Sequence, residues 1–183
     1  MKGLEPGHQL NCLVTGEEIR ERTAAMARTL SEEYDGEEVV CICVLKGAFL
    51  FFADLVRRLA PPVAVDFVRL ASYGKRTAPG QELVFSKDME ESIRGRHALI
   101  VEDIVDTGRS MAYLKTVFGG RGPKSLKICA LVDKQERREV DLVVDHYGFN
   151  LTGQGFLVGY GMDYGERYRE LDGIYELIRS QTS

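Results

Sequence analysis

The stretch from His97 to Met111 leaves the chain few folds to choose from. Ala98 to Val101 is a short apolar run with β-branched residues, and it reads as a buried strand. Three carboxylates, Glu102, Asp103 and Asp106, are placed where that strand ends. Thr107-Gly108-Arg109-Ser110 then opens a segment rich in helix formers. In open α/β sheets, ligands bind in the crevice outside the carboxyl ends of the strands. A loop there offers free backbone N–H groups at a helix start, where the dipole favours an anion. Gly108 lets a phosphate approach the backbone, and Thr107 and Ser110 add hydroxyl donors. The acids would repel a phosphate. They suit a sugar diol, a divalent cation or a proton. Phosphate held by backbone beside carboxylates for a diol describes a site for a phosphorylated ribose.

The rest of the chain supplies a sheet for this loop. Residues 1–14 read as an extended lead-in. Thr15-Gly16-Glu17-Glu18 is a capping box, and Ile19, Thr23, Met26 and Leu30 follow at helical spacing until Tyr34-Asp35-Gly36. Val39 to Leu45 is a near-continuous apolar run, as in a strand covered on both faces. Lys46-Gly47 lies at its carboxyl end, placed to meet an anion, and Ala48 to Leu59 reads as a helix. Pro61-Pro62 breaks the chain before a strand over Val63 to Leu70. Met111 to Phe118 continues the helix after the central loop, and Gly119-Gly120 ends it. Ser125 to Val132 predicts a fourth strand with Asp133-Lys134 at its end, and Leu142 to Val144 and Gly155 to Tyr160 are shorter strand signals. Strands alternating with helical patterns predict an α/β fold with a mostly parallel central sheet flanked by helices.

Two polar segments interrupt the pattern. Ser72 to Lys87 shows little helical periodicity and reads as a long loop, with Leu83, Val84 and Phe85 able to form a short hairpin strand. The charge run Glu136 to Glu139 is expected to face solvent. At 183 residues, 1–183 is expected to form one domain, able to bury about 70% of its unfolded surface. The net charge of −4 argues against bulk nucleic-acid binding. Met1 to Asn11 has no apolar signal region, and no run approaches the ~18 residues of a membrane helix, so no membrane association and a cytoplasmic location are expected. Cys41, Cys43 and Cys129 lie in apolar strands and read as buried reduced thiols, with Cys41 and Cys43 on one face. Cys-x-Cys is not a zinc spacing, and His8, His97 and His146 are scattered.

Val101-Glu102-Asp103-Ile104-Val105-Asp106-Thr107-Gly108-Arg109-Ser110 resembles the signature with which type I phosphoribosyltransferases bind 5-phosphoribosyl-1-pyrophosphate. Leu45-Lys46-Gly47, Ser72-Tyr73, Asp133-Lys134 and Phe156-Leu157-Val158-Gly159-Tyr160-Gly161-Met162-Asp163 fall in the order expected of the hypoxanthine-guanine branch. The resemblance runs from about Leu10 to Leu177. It implies the family fold, with a small hood built from the N- and C-terminal segments. It also implies purine salvage: transfer of the phosphoribosyl group to hypoxanthine and guanine, with release of pyrophosphate.

Residue roles follow from the same resemblance. Asp106 to Ser110, Arg109 included, hold the 5′-phosphate, and Glu102 and Asp103 accept from the ribose hydroxyls. Asp106 is the base that takes the purine proton. Lys46, Gly47 and Arg169 hold pyrophosphate, although Arg167 lies close enough in sequence to compete for Arg169's place. Ser72 and Tyr73 belong to a mobile lid. Lys134 donates to a 6-oxo group, Phe156 stacks on the purine, and Leu157 offers backbone groups to its edge. Glu102, Asp103 and Asp163 are the expected ligands of Mg²⁺, which is bound by few carboxylates plus substrate oxygens. The resemblance implies a cis peptide between Leu45 and Lys46 and a homodimer or homotetramer. This chain has Ala48 where the family often has a second glycine, which reduces backbone freedom there.

Other site types fit less well. A P-loop needs glycine where Asp103 stands and lysine where Arg109 stands, and Gly-x-Gly-x-x-Gly is absent after the first strand. An RNA-binding regulator on the same fold needs a basic face, which the acidic total does not favour. A xanthine-guanine preference is the alternative among enzymes.

Overall fold

The computed structural model describes residues 7–73 and 82–179. Its main sheet has six strands in the order β4-β3-β2-β5-β6-β7. β2 (Val39–Val44) and β5 (His97–Val105) form the centre, flanked by β3 (Val63–Tyr73) and β6 (Ser125–Asp133). β7 (His146–Asn150) closes one edge and β4 (Glu82–Lys87) the other. Every pairing is parallel except β3 with β4. A second sheet, β1-β9-β8, joins β1 (His8–Val14), β9 (Ile174–Arg179) and β8 (Phe156–Val158) in antiparallel pairs. The extended lead-in is thus a strand, and the expected hood is built from both ends of the chain.

All six residues of β2 are buried, because helices cover both faces. Alternation divides its side chains between two cores. Val39, Cys41 and Cys43 pack with α1 (Gly16–Tyr34) and α2 (Phe49–Val56), together with Val14, Leu157 and Ile174 of the hood. Val40, Ile42 and Val44 pack with Met111, Leu114 and Phe118 of α3 (Arg109–Gly119). Burial raises the thiols of Cys41 and Cys43 to about 12, so they remain neutral apolar fillers. Cys12 is exposed.

The capping box at Thr15 is present: its Oγ1 accepts from Glu18 N (3.3 Å) and its N–H donates to Glu18 Oε2 (2.8 Å). The helix expected over Ala48 to Leu59 is shorter, Phe49–Val56. Three stretches differ more. Ser72 and Tyr73 belong to β3, not to a loop, and pair with Leu83 and Glu82, while the hairpin strand expected over Leu83 to Phe85 is present within β4. The side chains of Ser72 and Tyr73, and residues 74–81 between the two strands, lie outside the described residues. Leu142 to Val144 is not a strand; the edge strand begins at His146. There the Asp145 carboxylate accepts from Ile128 N (2.8 Å), and Arg22 holds the carbonyls of Tyr147 and Gly148. These polar ties do for β7 what apolar alternation does elsewhere. Finally, Glu102 and Asp103 do not follow the central strand but are part of it. β5 pairs with β2 only as far as Val101 yet continues beside β6 to Val105. Its last residues therefore overhang the end of β2, and this overhang shapes the crevice.

Candidate active site

Beyond Val44 the backbone passes through a cis peptide at Leu45-Lys46 and turns over the overhanging end of β5. Gly47 lies against the Asp103 carboxylate. A Cβ at position 47 would sit 1.8 Å from Oδ2 and 2.5 Å from Cγ, so any side chain there would displace the acid. Ala48 adopts φ −73, a conformation open to any residue, and the missing second glycine costs this turn nothing.

The loop after β5 begins at Asp106 and enters α3 through Gly108, whose φ of +82 favours glycine. Asp106, Thr107, Gly108, Ser110 and Met111 line a cavity of about 180 Å³ together with Glu102 and Asp103. Arg109 points elsewhere and pairs with Glu139 at the surface (2.7 Å). The cradle is thus backbone and hydroxyl at the start of an eleven-residue helix.

The three acids sit in different surroundings. Glu102 is buried, and its Oε1 accepts from Asp103 N (3.1 Å). Burial, reinforced by the neighbouring Asp103 charge, raises its carboxyl well above the usual range. Asp103 lies between the turn at Gly47 and the cavity. Asp106 is partly exposed, with Oδ1 3.1 Å from Arg137 Nε. Asp103 and Asp106 also line a second, larger cleft of about 500 Å³ with Lys134, Arg137, Phe156, Leu157 and Asp163.

In that cleft Lys134 is 2% exposed. Its Nζ donates to the carbonyls of Gln154 (2.9 Å) and Gly155 (2.8 Å), and burial draws its pKa down. The neighbouring Asp133 carboxylate is held separately, by Arg138 and Gln135. Phe156 is 54% exposed, a large apolar ring presented to the cleft and edge-on to Tyr164. Leu157 buries its side chain in the core.

The C-terminal segment brings Asp163 and Arg169 to the mouth of the cleft. Arg169 Nη1 donates to Gly161 O (2.7 Å), and Nη2 lies 2.8 Å from Asp163 Oδ1. Of the two arginines that compete for this role in sequence, Arg169 is the one beside Asp163. Gly161 has φ +99, and a Cβ on it would lie 2.0 Å from Gly47 O, so two loops touch through glycine. Gly161→Ala is expected to lower unfolding free energy by about 2 kcal/mol or more. Gly153→Ala, at φ +70 in open space, is expected to cost about 1 kcal/mol. Urea midpoints test this, and equal losses would mean that close approach does not matter.

The structure brings together Lys46, Gly47, Glu102, Asp103, Asp106, Thr107, Gly108, Ser110, Lys134, Phe156, Leu157, Asp163 and Arg169 around one crevice, and leaves Arg109 facing outward. Three contributors escape sequence reasoning. The run Glu136 to Glu139 is mostly exposed, but its arginines reach back: Arg137 to Asp106, and Arg138 over Gly108 to Asp133. Glu166 pairs with Lys46 (3.0 Å) and Arg169 (3.2 Å). Charged residues in a polar loop carry no signal that separates these from solvated ones.

Residues 13–165 match a family described as a phosphoribosyl transferase domain. A hypoxanthine phosphoribosyltransferase of Salmonella typhimurium is 40% identical over 173 residues, 93% of this chain and 97% of that protein. A crystal structure of a hypoxanthine-guanine phosphoribosyltransferase from Bacillus anthracis, with HEPES in its active site, matches with a TM-score of 0.86 at 39% identity, covering 92% of this chain and 98% of that one. A Staphylococcus aureus hypoxanthine phosphoribosyltransferase matches with a TM-score of 0.87 at 34% identity, covering 92% and 91%.

Proposed function

This chain belongs to the phosphoribosyl transferase family, and we propose that it is a purine-salvage enzyme moving a phosphoribosyl group from 5-phosphoribosyl-1-pyrophosphate to hypoxanthine and guanine. One observation carries this reading: Asp103 and Asp106 line both the cradle at the start of α3 and the cleft holding Lys134 and Phe156. A ribose with its phosphate in the first and a purine in the second would meet at these acids.

A purine ring nitrogen attacks the anomeric carbon as the bond to pyrophosphate breaks. The proton on that nitrogen passes to Asp106, and the carbon passes through an oxocarbenium-like state. Thr107, Gly108 and Ser110 hold the 5′-phosphate, and Glu102 and Asp103 orient the ribose hydroxyls. Lys46 and Arg169 take the pyrophosphate, while the backbone of Gly47 gives it room. Phe156 stacks on the base, Leu157 meets its edge through backbone groups, and Lys134 donates to the 6-oxo group. The lid role expected of Ser72 and Tyr73 falls on side chains outside the described residues.

The donor set fits Mg²⁺. Magnesium is held by few carboxylates plus substrate oxygens, and Asp103 and Asp163 present carboxylates to the same cleft. Asp103 and Asp163 are its best-placed ligands here; Glu102, buried and turned to its own backbone, is the least available. When bound, the ion neutralises charge on the departing pyrophosphate. We further propose one domain over 1–183, a homodimer or homotetramer, and work in the cytoplasm. No described helix is long and apolar enough to cross a membrane.

Pyrophosphate release from the phosphoribosyl donor tests the reading. Release is expected with hypoxanthine and magnesium together, falling to background when either is withheld. Release that persists without a base would mean hydrolysis, and no release with any 6-oxopurine would end the proposal.

A further inference from the structure

Glu166 stands at the tip of a two-residue turn. Tyr164 and Arg167 exchange backbone hydrogen bonds of 3.1 and 3.2 Å, and between them Gly165 and Glu166 have φ of +59 and +66. A turn with positive φ at both central residues accepts glycine or asparagine easily, and glutamate poorly. A side chain kept on a strained backbone points to a role for that side chain. What it does here is divide its two oxygens between two cations. Oε1 lies 3.0 Å from Lys46 Nζ, 120 positions away in sequence, and Oε2 lies 3.2 Å from Arg169 Nη2. Arg169 is held elsewhere, by Gly161 O and Asp163, and is largely buried, whereas the Glu166 side chain is 63% exposed. The carboxylate is therefore the displaceable member of the cluster. The Glu166 backbone N–H stays bonded to Asp163 Oδ2 (2.8 Å), and a Cβ on the neighbouring Gly165 would meet nothing within 4 Å, so the side chain can swing away while the turn stays anchored.

We propose that Glu166 is a built-in stand-in for pyrophosphate: its carboxylate bridges Lys46 and Arg169 in the free enzyme and yields them when a diphosphate binds. This rests on the reading of Lys46 and Arg169 as pyrophosphate cations. Glu166 thereby competes with the diphosphate of the substrate and helps the product pyrophosphate leave. It keeps two cations from repelling each other or recruiting other anions while the site is empty. Exposed ion pairs are individually weak, so the competition is modest and readily reversed.

Calorimetric titration with pyrophosphate in the presence of magnesium tests this. Glu166→Gln should bind pyrophosphate about three- to tenfold more tightly than wild type, as loss of two weak pairs implies. KM for the phosphoribosyl donor should fall in parallel while kcat does not rise. Glu166→Gly should show the same tightening and a higher melting temperature, because glycine suits the turn. Glu170→Gln removes an exposed carboxylate from the same segment and should leave affinity unchanged. Weaker or unchanged binding in Glu166→Gln would overturn the proposal, as would an equal shift in Glu170→Gln, which would signify net charge alone. Lys46→Met separates the layers. Weakened pyrophosphate binding there keeps the reading of Lys46 whatever Glu166 does, and unchanged binding removes that reading and the stand-in with it.

Discussion

Asp106→Asn lowers kcat with hypoxanthine by about 10²–10⁴-fold, the usual contribution of a positioned general base. Asparagine keeps the shape of the side chain and loses the ability to take a proton. Asp106 stands where β5 ends, on the wall common to the cradle at the start of α3 and the cleft holding Lys134 and Phe156. A proton leaving a purine nitrogen beside the anomeric carbon has this carboxylate to go to. Of the two other acids nearby, Glu102 is buried and already bonded to the backbone N–H of Asp103, and the Asp103 carboxylate lies against Gly47. The neighbouring Arg137 Nε, 3.1 Å from Oδ1, must give way or share the carboxylate when the base enters. KM values for both substrates should change little, because the lost interaction belongs to the transition state. Steady-state kinetics decide: a kcat within about twofold of wild type would remove Asp106 from the chemistry.

Lys134→Gln narrows the gap between hypoxanthine and adenine, a gap that should be on the order of 10⁴ in kcat/KM in the wild type. An ammonium has three donors and no acceptor. Gln154 O and Gly155 O take two of them, at 2.9 and 2.8 Å, which leaves one for a ligand. A 6-oxo group accepts it. The 6-amino group of adenine meets it donor to donor and leaves a buried charge unpaired, which is costly. Glutamine can donate or accept, so the variant should use hypoxanthine less well and adenine relatively better. Part of the loss will come from the two carbonyls that Lys134 ties down, and the ratio of the two bases is therefore the quantity to compare. An unchanged ratio would mean that another group reads the 6 position.

The parts of the fold written in apolar periodicity were legible in the sequence. β2, α1, α3 and the strand before Asp106 follow from alternation, helical spacing, a capping box and glycine stops. β7 was misplaced because His146 to Asn150 is short, with only Tyr147 and Phe149 as apolar residues, and is fixed by Arg22 from α1 and by the adjoining Asp145. Of the β3–β4 hairpin, Val63 to Leu70 and Leu83 to Phe85 were legible as strands, and the extension of β3 to Tyr73 was not, because Ser72 and Tyr73 lead into a polar, glycine-rich stretch. At the site, positions whose chemistry is fixed by the backbone were legible: the glycine at 108, the acids at 102, 103 and 106, the turn at Lys46-Gly47. The overhang of β5 past β2, which makes Asp103 face Gly47, is a matter of register that spacing does not encode. The ion pairs of Arg137, Arg138 and Glu166 depend on which loops fold toward the crevice. They become visible only when residues 120 apart, such as Lys46 and Glu166, are seen in contact.

One competition measures transfer of the phosphoribosyl group to a 6-oxopurine. Wild-type enzyme receives 5-phosphoribosyl-1-pyrophosphate, magnesium and an equimolar mixture of hypoxanthine, guanine, xanthine and adenine, and the nucleotides formed are identified by mass. The expected products are the monophosphates of hypoxanthine and guanine, with the adenine nucleotide absent. Formation of the adenine nucleotide as a main product, or of no nucleotide at all, would contradict the account.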